Sequence, residues 1–144
     1  MRELPRQLSA VELASLFSGR TRLVDELAAR EHPLEAAEEV ALSLAEEDQV
    51  AALATHPRIG EPSEEQRGAE PEVLAELARL NEEYERRFGF SFVVFVDGRT
   101  RADLVPVLRE RLERTREQEL ETGLRALCEI ALARWEQHRW TRTT

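Results

Sequence analysis

The sequence predicts an all-α fold, an irregular bundle of about seven short helices in one domain over residues 1–144, with an extended segment near residues 90–96. Apolar residues recur at three- and four-residue spacing through most of the chain, and prolines, glycines and capping residues interrupt this pattern at short intervals. The run at 90–96 is the one β-like stretch, and a lone run has no partner strand. A chain of 144 residues that is 42% hydrophobic can build one buried core.

The first two helices are marked by their ends. Ser9 and Glu12 have the spacing of a capping box, in which each side chain bonds the backbone N–H of the other. A second helix follows Gly19 and extends to His32, because Pro33 disfavours helical geometry in the residue before it.

The next helices lead into an irregular loop. Pro33 suits the first turn of a third helix, and Asp48 is expected to cap a fourth helix that ends near Ala54. The loop then covers residues 56–62, and Ser63 is expected to cap a short helical stretch.

The clearest helix begins near Pro71, and Gly89 suits the left-handed position just past its end. Its apolar face is spaced three, four, three and four residues apart: Leu74, Leu77, Asn81, Tyr84 and Phe88.

Two helices follow the extended segment. Thr100 or Asp103 begins the first of them, and Pro106 is expected in its first turn or at a kink. The last helix is long and carries a stripe through Leu120, Leu124, Leu127, Ala131 and Arg134.

Charge and composition exclude several classes of partner. The formal net charge is −9, and the basic residues are interleaved with acidic ones, which disfavours nucleic acid. The absence of a long apolar run disfavours a membrane partner, and the absence of a secretory pattern favours a cytoplasmic location. Cys128, the one cysteine, has apolar neighbours and is expected to be a small core residue.

His56 is the main candidate for chemistry. An imidazole has a reference pKa of about 6.5, so it can donate or accept a proton near neutrality, and Pro57 restricts the backbone of His56. The plain alternative is a surface histidine at a helix end. Glu65 and Gln66 could orient an imidazole and bind a polar group, or serve as ordinary first-turn partners of a helix.

Arg134 continues the apolar stripe of the last helix, where an inward guanidinium needs an anion or a carbonyl oxygen as partner. The alternative is that its side chain extends outward to solvent.

No metal or organic cofactor is expected. His32, His56 and His138 are widely separated, and no paired-ligand motif or glycine-rich phosphate loop occurs. This favours acid–base chemistry if the chain is an enzyme, and disfavours a metal-dependent hydrolase.

Several motifs in order resemble one family. They are Phe17-Ser18-Gly19, Leu27 to Pro33, His56 to Gly60, Glu65-Gln66 with Gly68-Ala69, Leu80 to Tyr84, Phe88-Gly89-Phe90, Phe92-Val93-Val94, Arg111-Leu112, Glu119-Leu120, Glu129-Ile130 and Arg134. Together they resemble the 2-oxo-4-hydroxy-4-carboxy-5-ureidoimidazoline (OHCU) decarboxylases, and the match covers nearly the whole chain.

The resemblance implies a cofactor-independent carboxy-lyase that converts this small molecule to (S)-allantoin and CO2 in urate breakdown. It implies that His56 is the acid–base residue and that Glu65 orients it. The residues implied to bind the substrate are Pro57, Ser63, Gln66, Phe92, Val93, Val94 and Arg134, with the backbone of 92–94 meeting the ring. A homodimer is also implied, with Trp135 and Trp140 as exposed aromatics available for the contact.

The chain departs from the family pattern after His56. Pro62 stands where the family has a serine, Ser63 comes one residue late, and the loop is shorter. Three alternatives stay open: Glu64 rather than Glu65 faces the histidine, the substrate differs, or the chain is a binding module without catalysis.

Overall fold

A computed structural model describes residues 7–56, 71–96 and 98–142, with side chains up to residue 137. The described part contains seven α-helices and no strand, which confirms the predicted all-α class and the number of helices. The helices are α1 (Ala10–Phe17), α2 (Arg22–Ala28), α3 (Pro33–Ser43), α4 (Glu46–Ala54), α5 (Pro71–Phe88), α6 (Arg101–Arg111) and α7 (Arg116–Arg142).

Two predicted helix starts are confirmed by their capping bonds. Ser9 Oγ accepts from the N–H of Glu12 at 3.1 Å, and the Glu12 carboxylate accepts from the N–H of Ser9 at 3.0 Å. Thr100 and Asp103 form the same reciprocal pair at the start of α6, so Thr100 is the cap. Each box satisfies backbone N–H groups that the helix itself leaves unpaired.

Two local predictions were wrong, and one of two alternatives for a third was excluded. Helix α2 ends at Ala28 rather than at His32, whose backbone is left-handed with φ 56° ahead of Pro33. Asp48 does not cap α4: the cap position is Ala45, and Asp48 lies in the acidic first turn, where the helix dipole favours its charge. Of the two alternatives for Pro106, the first turn is excluded, because this proline lies further inside α6, where its ring nitrogen has no hydrogen to donate to the preceding turn; the kink stays a prediction.

The long helix α7 is the centre of the bundle. It packs against α1, α3 and α4, while α1, α2 and α3 pack in succession and α5 packs on α6. Cys128 is buried in α7, as predicted, and burial raises the pKa of its thiol to about 12. The thiol is therefore protonated at neutral pH and is a structural residue.

The run at 90–96 is not helical and forms no strand, as predicted. Phe92 is buried and its ring lies 5.1 Å from that of Tyr84 in α5, while Val93 receives a hydrogen bond from α6. The segment therefore crosses the bundle where side chains of these helices can reach its backbone.

None of the helices described is both long and apolar enough to cross a membrane. Over the same ranges, no group of three or more His, Cys, Asp or Glu side chains is placed to hold a metal ion.

Candidate active site

His56 lies just past the end of α4, and its backbone N–H donates to the carbonyl of Leu53 at 3.3 Å. Its Nδ1 atom is buried and has no hydrogen-bond partner among the described residues. A buried polar atom without a partner is costly and calls for an explanation. The surface-cap alternative predicts a solvated ring, so the burial of Nδ1 argues against it.

The surroundings of His56 favour its neutral form. Burial lowers its pKa from 6.5 to about 4, and the positive charge of Arg134 contributes in the same direction. At neutral pH the imidazole therefore has one ring nitrogen ready to accept a proton.

Arg134 points inward rather than out to solvent, which decides between the two alternatives. One of its terminal nitrogens donates to the carbonyl of Leu16 at 2.9 Å and to Ser18 Oγ at 2.6 Å. The side chain is half-buried, and its charge acts on His56. These two predicted site residues, 78 positions apart in the sequence, are therefore brought together by the packing of α1 and α4 on α7.

The turn after α1 explains the Phe17-Ser18-Gly19 motif. Ser18 is left-handed with φ 69°, and Thr55 Oγ1 donates to the carbonyl of Phe17 at 3.1 Å. A Cβ added to Gly19 would lie 3.1 Å from Thr55 Cγ2, so only glycine fits there without displacement. The motif thus fixes Thr55 beside His56 and also places the hydroxyl of Ser18 on Arg134.

Two arginines donate hydrogen bonds to three carbonyl groups of the 90–96 segment. Arg111 donates to the carbonyl of Val93 at 2.9 Å, and Arg99 donates to the carbonyls of Phe95 and Val96 at 2.6 and 3.1 Å. The guanidinium of Arg111 also lies 4.6 Å from the centre of the Phe92 ring. A segment without a partner strand therefore satisfies carbonyls through guanidinium groups in place of a ladder.

The amides of the same segment are treated differently. Among the described residues, no hydrogen bond has the N–H of Phe92, Val93 or Val94 as its donor. The carbonyls of Val93, Phe95 and Val96 are therefore bound, whereas the amides of residues 92–94 are available for a polar ligand, in line with what the resemblance implies for these residues.

Behind this segment lies a buried ionic network that the sequence reasoning did not find. Glu119 is fully buried and accepts from Tyr84 Oη at 2.7 Å, from Arg111 Nε at 2.7 Å and from Arg114 at 3.0 Å. Burial and the bond to Glu119 raise the pKa of Tyr84, so its hydroxyl is a permanent donor. The signal that was available was the pairing of Arg111 and Glu119 in the family motifs.

A cavity of about 560 Å³ adjoins Val94 and Arg111. The remaining lining residues are Phe95, Arg99, Thr122, Arg125, Ala126 and Glu129. Neither His56 nor Arg134 lines it, so this cavity is distinct from the place where those two residues meet.

The other predicted site residues, Pro57, Ser63, Glu65 and Gln66, lie outside the described residues, as does the alternative Glu64. Their roles, and the choice between the two glutamates, stay predictions.

The expectation of an exposed Trp135 was wrong. This side chain is partly buried and packs against the core, with its Nε1 atom buried and without a partner in the described part. Apolar area on α7 is better covered by the bundle than left in water. The side chain of Trp140 lies outside the described residues.

The fold and these positions define a helical protein with a half-buried histidine beside an inward arginine, and a family model identifies the family. The model described as OHCU decarboxylase matches residues 4–136, so the chain belongs to the OHCU decarboxylase family. The predicted family is thus confirmed, and it is a family of carboxy-lyases, the class of enzyme that was predicted.

Two curated relatives are named as proteins of uric acid degradation. The chain is 35% identical over 97 residues to the uric acid degradation bifunctional protein PucL of Bacillus subtilis (strain 168), which covers 59% of this chain and 20% of PucL. It is 35% identical over 69 residues to the uric acid degradation bifunctional protein TTL of Arabidopsis thaliana, covering 48% of this chain and 18% of TTL. The chain therefore matches only about a fifth of the length of these relatives.

Two solved structures share the fold. A crystal structure of OHCU decarboxylase in the presence of (S)-allantoin superimposes with a TM-score of 0.74 at 25% identity, covering 85% of this chain and 94% of that one. A crystal structure of (S)-allantoin synthase superimposes with a TM-score of 0.68 at 21% identity, covering 87% of this chain and 47% of that one. The second likeness shows the fold alone.

Proposed function

We propose that the chain catalyses the cofactor-independent decarboxylation of OHCU to (S)-allantoin and CO2, with His56 as the acid–base residue. The observation that carries the proposal is the half-buried imidazole of His56, with its buried Nδ1 unpaired in the described part, beside the inward guanidinium of Arg134. The family and its solved member crystallised with (S)-allantoin support the choice of substrate.

The reaction requires the protein mainly to position the substrate and to supply one proton. Loss of CO2 breaks the bond between the carboxylate carbon and the ring carbon that also carries the hydroxyl, and the electron pair forms a double bond to the neighbouring ring carbon while the imine nitrogen of that neighbour takes up a proton. The hydroxyl then loses its proton through an enolate and becomes the ring carbonyl, and one proton added to the neighbouring, ureido-bearing carbon completes (S)-allantoin. Hydrogen-bond donors aimed at the enolate oxygen stabilise the transition state.

The electrostatics of the site suit an anionic substrate. The positive charge of Arg134 lowers the pKa of His56, so a carboxylate bound beside both groups would oppose that effect and raise the pKa of the imidazole. We propose that His56 takes up its proton when the substrate is bound and delivers it to the ureido-bearing ring carbon. Solvent then replaces the proton after each turnover.

The remaining site assignments are part of this proposal. Glu65 orients His56, Pro57, Ser63 and Gln66 bind the substrate with Arg134, and the backbone of Phe92, Val93 and Val94 meets its ring. The available amides of that segment support the last assignment.

Turnover of freshly generated substrate tests the proposal, with the chirality of the product followed by circular dichroism. We expect His56→Ala to lower kcat by about 10²- to 10⁴-fold, the usual contribution of a placed acid–base group. His32→Ala is the matched control, because His32 is an exposed histidine at the start of α3 and should leave the rate unchanged.

The wild-type chain would contradict the proposal by turning over no faster than the spontaneous decay of the substrate. Ligand binding without product would instead support a binding module. The helical content of each variant, measured in the far ultraviolet, separates loss of chemistry from loss of fold.

We also propose that the protein is a cytoplasmic homodimer, in line with the resemblance to its family. Light scattering after size exclusion measures the assembly, and a monomeric mass at micromolar concentration would contradict the dimer.

A further inference from the structure

Arg111 in α6 has no direct part in the proposed reaction. Its side chain is almost completely buried, and it donates through Nε to Glu119 and through a terminal nitrogen to the carbonyl of Val93. Its guanidinium also faces the ring of Phe92 at 4.6 Å. One side chain thus contacts two consecutive residues of the segment proposed to meet the substrate.

The bond from Arg111 to the Val93 carbonyl also determines the direction in which the N–H of Val94 points, because the two groups belong to the same peptide bond. None of the described peptide bonds is cis, and in a trans peptide the C=O of one residue and the N–H of the next point in opposite directions. Since Arg111 holds the carbonyl of Val93, the N–H of Val94 points away from Arg111 and from the buried network. No described residue accepts a hydrogen bond from that N–H.

The charge of Arg111 also strengthens the N–H of Val94 as a hydrogen-bond donor. A cation bonded to a carbonyl oxygen polarises the amide, and hydrogen bonds that share a polarised group strengthen one another. The N–H of Val94 is therefore both aimed and strengthened as a donor by a residue on the opposite side of the peptide.

We propose that Arg111 is a positioning residue that aims the Val94 N–H at the enolate oxygen of the reacting ring. The idea rests on the proposed function. It also divides the predicted contact: the N–H of Val94 faces the substrate, while the carbonyl of Val93 is occupied by Arg111 and does not.

Glu119 keeps Arg111 in place, and Tyr84 and Arg114 also donate to the carboxylate of Glu119. Arg114 provides a matched control, since its side chain is bonded to the same carboxylate and to Thr122 and neither of its bonds involves the 90–96 segment. A role in stability alone predicts similar effects for the two arginines, whereas positioning predicts an effect for Arg111 only.

The experiment compares Arg111→Lys with Arg114→Lys in the full chain. Lysine keeps the charge but loses the planar fork that reaches Glu119 and Val93 together. We expect Arg111→Lys to lower kcat about tenfold with KM changed less than about twofold, because a donor that acts mainly in the transition state is misaimed. We expect Arg114→Lys to leave both constants within about twofold.

A second readout follows the amide itself. In protein labelled with ¹⁵N-valine, saturating (S)-allantoin should shift the Val94 amide resonance in the wild type and in Arg114→Lys, and shift it much less in Arg111→Lys. If Arg111→Lys does not fold, the double variant Arg111→Gln with Glu119→Gln removes both buried charges together, a change that buried pairs tolerate better than loss of one partner. The same loss of kcat and of the Val94 shift is expected from it.

Equal losses in the two lysine variants, or a Val94 shift unchanged in Arg111→Lys, would overturn the positioning role while leaving the proposed function in place. A wild-type chain that shows no turnover contradicts the proposed function itself, and the positioning role falls with it.

Discussion

The two ends of α7 carry charged residues that the protein treats in opposite ways. Near the start of the helix, Glu119 is fully buried and receives three hydrogen bonds. Near the other end, Arg134 is half-buried beside His56, whose Nδ1 has no partner in the described part of the chain. The carboxylate of Glu119 is paired without a ligand, although one terminal nitrogen of Arg111 has no partner in the described part, whereas the imidazole of His56 has no hydrogen-bond partner there at Nδ1.

This difference separates structure from proposed chemistry. A buried carboxylate that accepts bonds from several helices holds those helices in one arrangement, whereas a buried histidine nitrogen without a partner is a cost that a ligand can remove. The Glu119 cluster therefore fixes the 90–96 segment through Arg111, and the cluster of His56 and Arg134 is where the substrate carboxylate is proposed to bind.

The largest expected effect tests the Glu119 cluster. Glu119→Ala leaves the buried guanidinium of Arg111 without its anion, and we expect a loss of about 3–5 kcal/mol in the free energy of unfolding, measured by urea denaturation. Glu121→Ala, which removes an exposed ion pair with Arg125 on the same helix, should cost less than about 1 kcal/mol. Similar losses in both variants would remove the distinction between the clusters.

The next prediction concerns the protonation of His56, followed by NMR. The pKa of His56 is expected near 4, because burial and Arg134 both disfavour the charged ring. Arg134→Met should raise this pKa while leaving it below 6.5, since burial is the larger cause. Arg125→Met, on an exposed part of α7, should not move it. A wild-type pKa near 6.5 would show that the ring is solvated.

The lowered pKa of His56 also predicts how the free energy of unfolding changes with pH. Between the pKa of about 4 in the folded protein and about 6.5 in the unfolded chain, the unfolded state binds more protons. The contribution of His56 is therefore fully present above pH 6.5 and is lost as the pH falls toward 4. Unfolding of His56→Ala should depend less on pH across this window, and an equal dependence would contradict the shift.

The smallest expected effect tests the hydrogen bond by which Ser18 holds the side chain of Arg134. Ser18→Ala removes the 2.6 Å bond from Arg134 to Ser18 Oγ but leaves its bond to the carbonyl of Leu16, so we expect a loss of about 1 kcal/mol in stability. Ser43→Ala, which removes a local bond within α3, should cost less because that hydroxyl can be replaced by water. Thermal unfolding compares the two, and a larger loss for Ser43→Ala would argue against Arg134 being held by this turn.

Local patterns predicted much of this fold because helix ends depend on neighbours in the sequence. The capping boxes at Ser9 and Thr100 involve residues three apart, and both are present. The errors at α2 and α4 arose where two local signals competed: Asp48 is a good cap by type, but the first turn of α4 already begins at Glu46. Choosing between such signals depends on packing.

The sequence by itself determined the class of fold, the lone segment at 90–96, and the candidates His56 and Arg134, because periodicity, capping and motif order are local or linear properties. Only the tertiary structure decided that Arg134 turns inward toward His56 and that Arg111 holds the carbonyl of Val93. These contacts join residues from 18 to 118 positions apart, and burial, which creates the need for them, arises only when the helices pack.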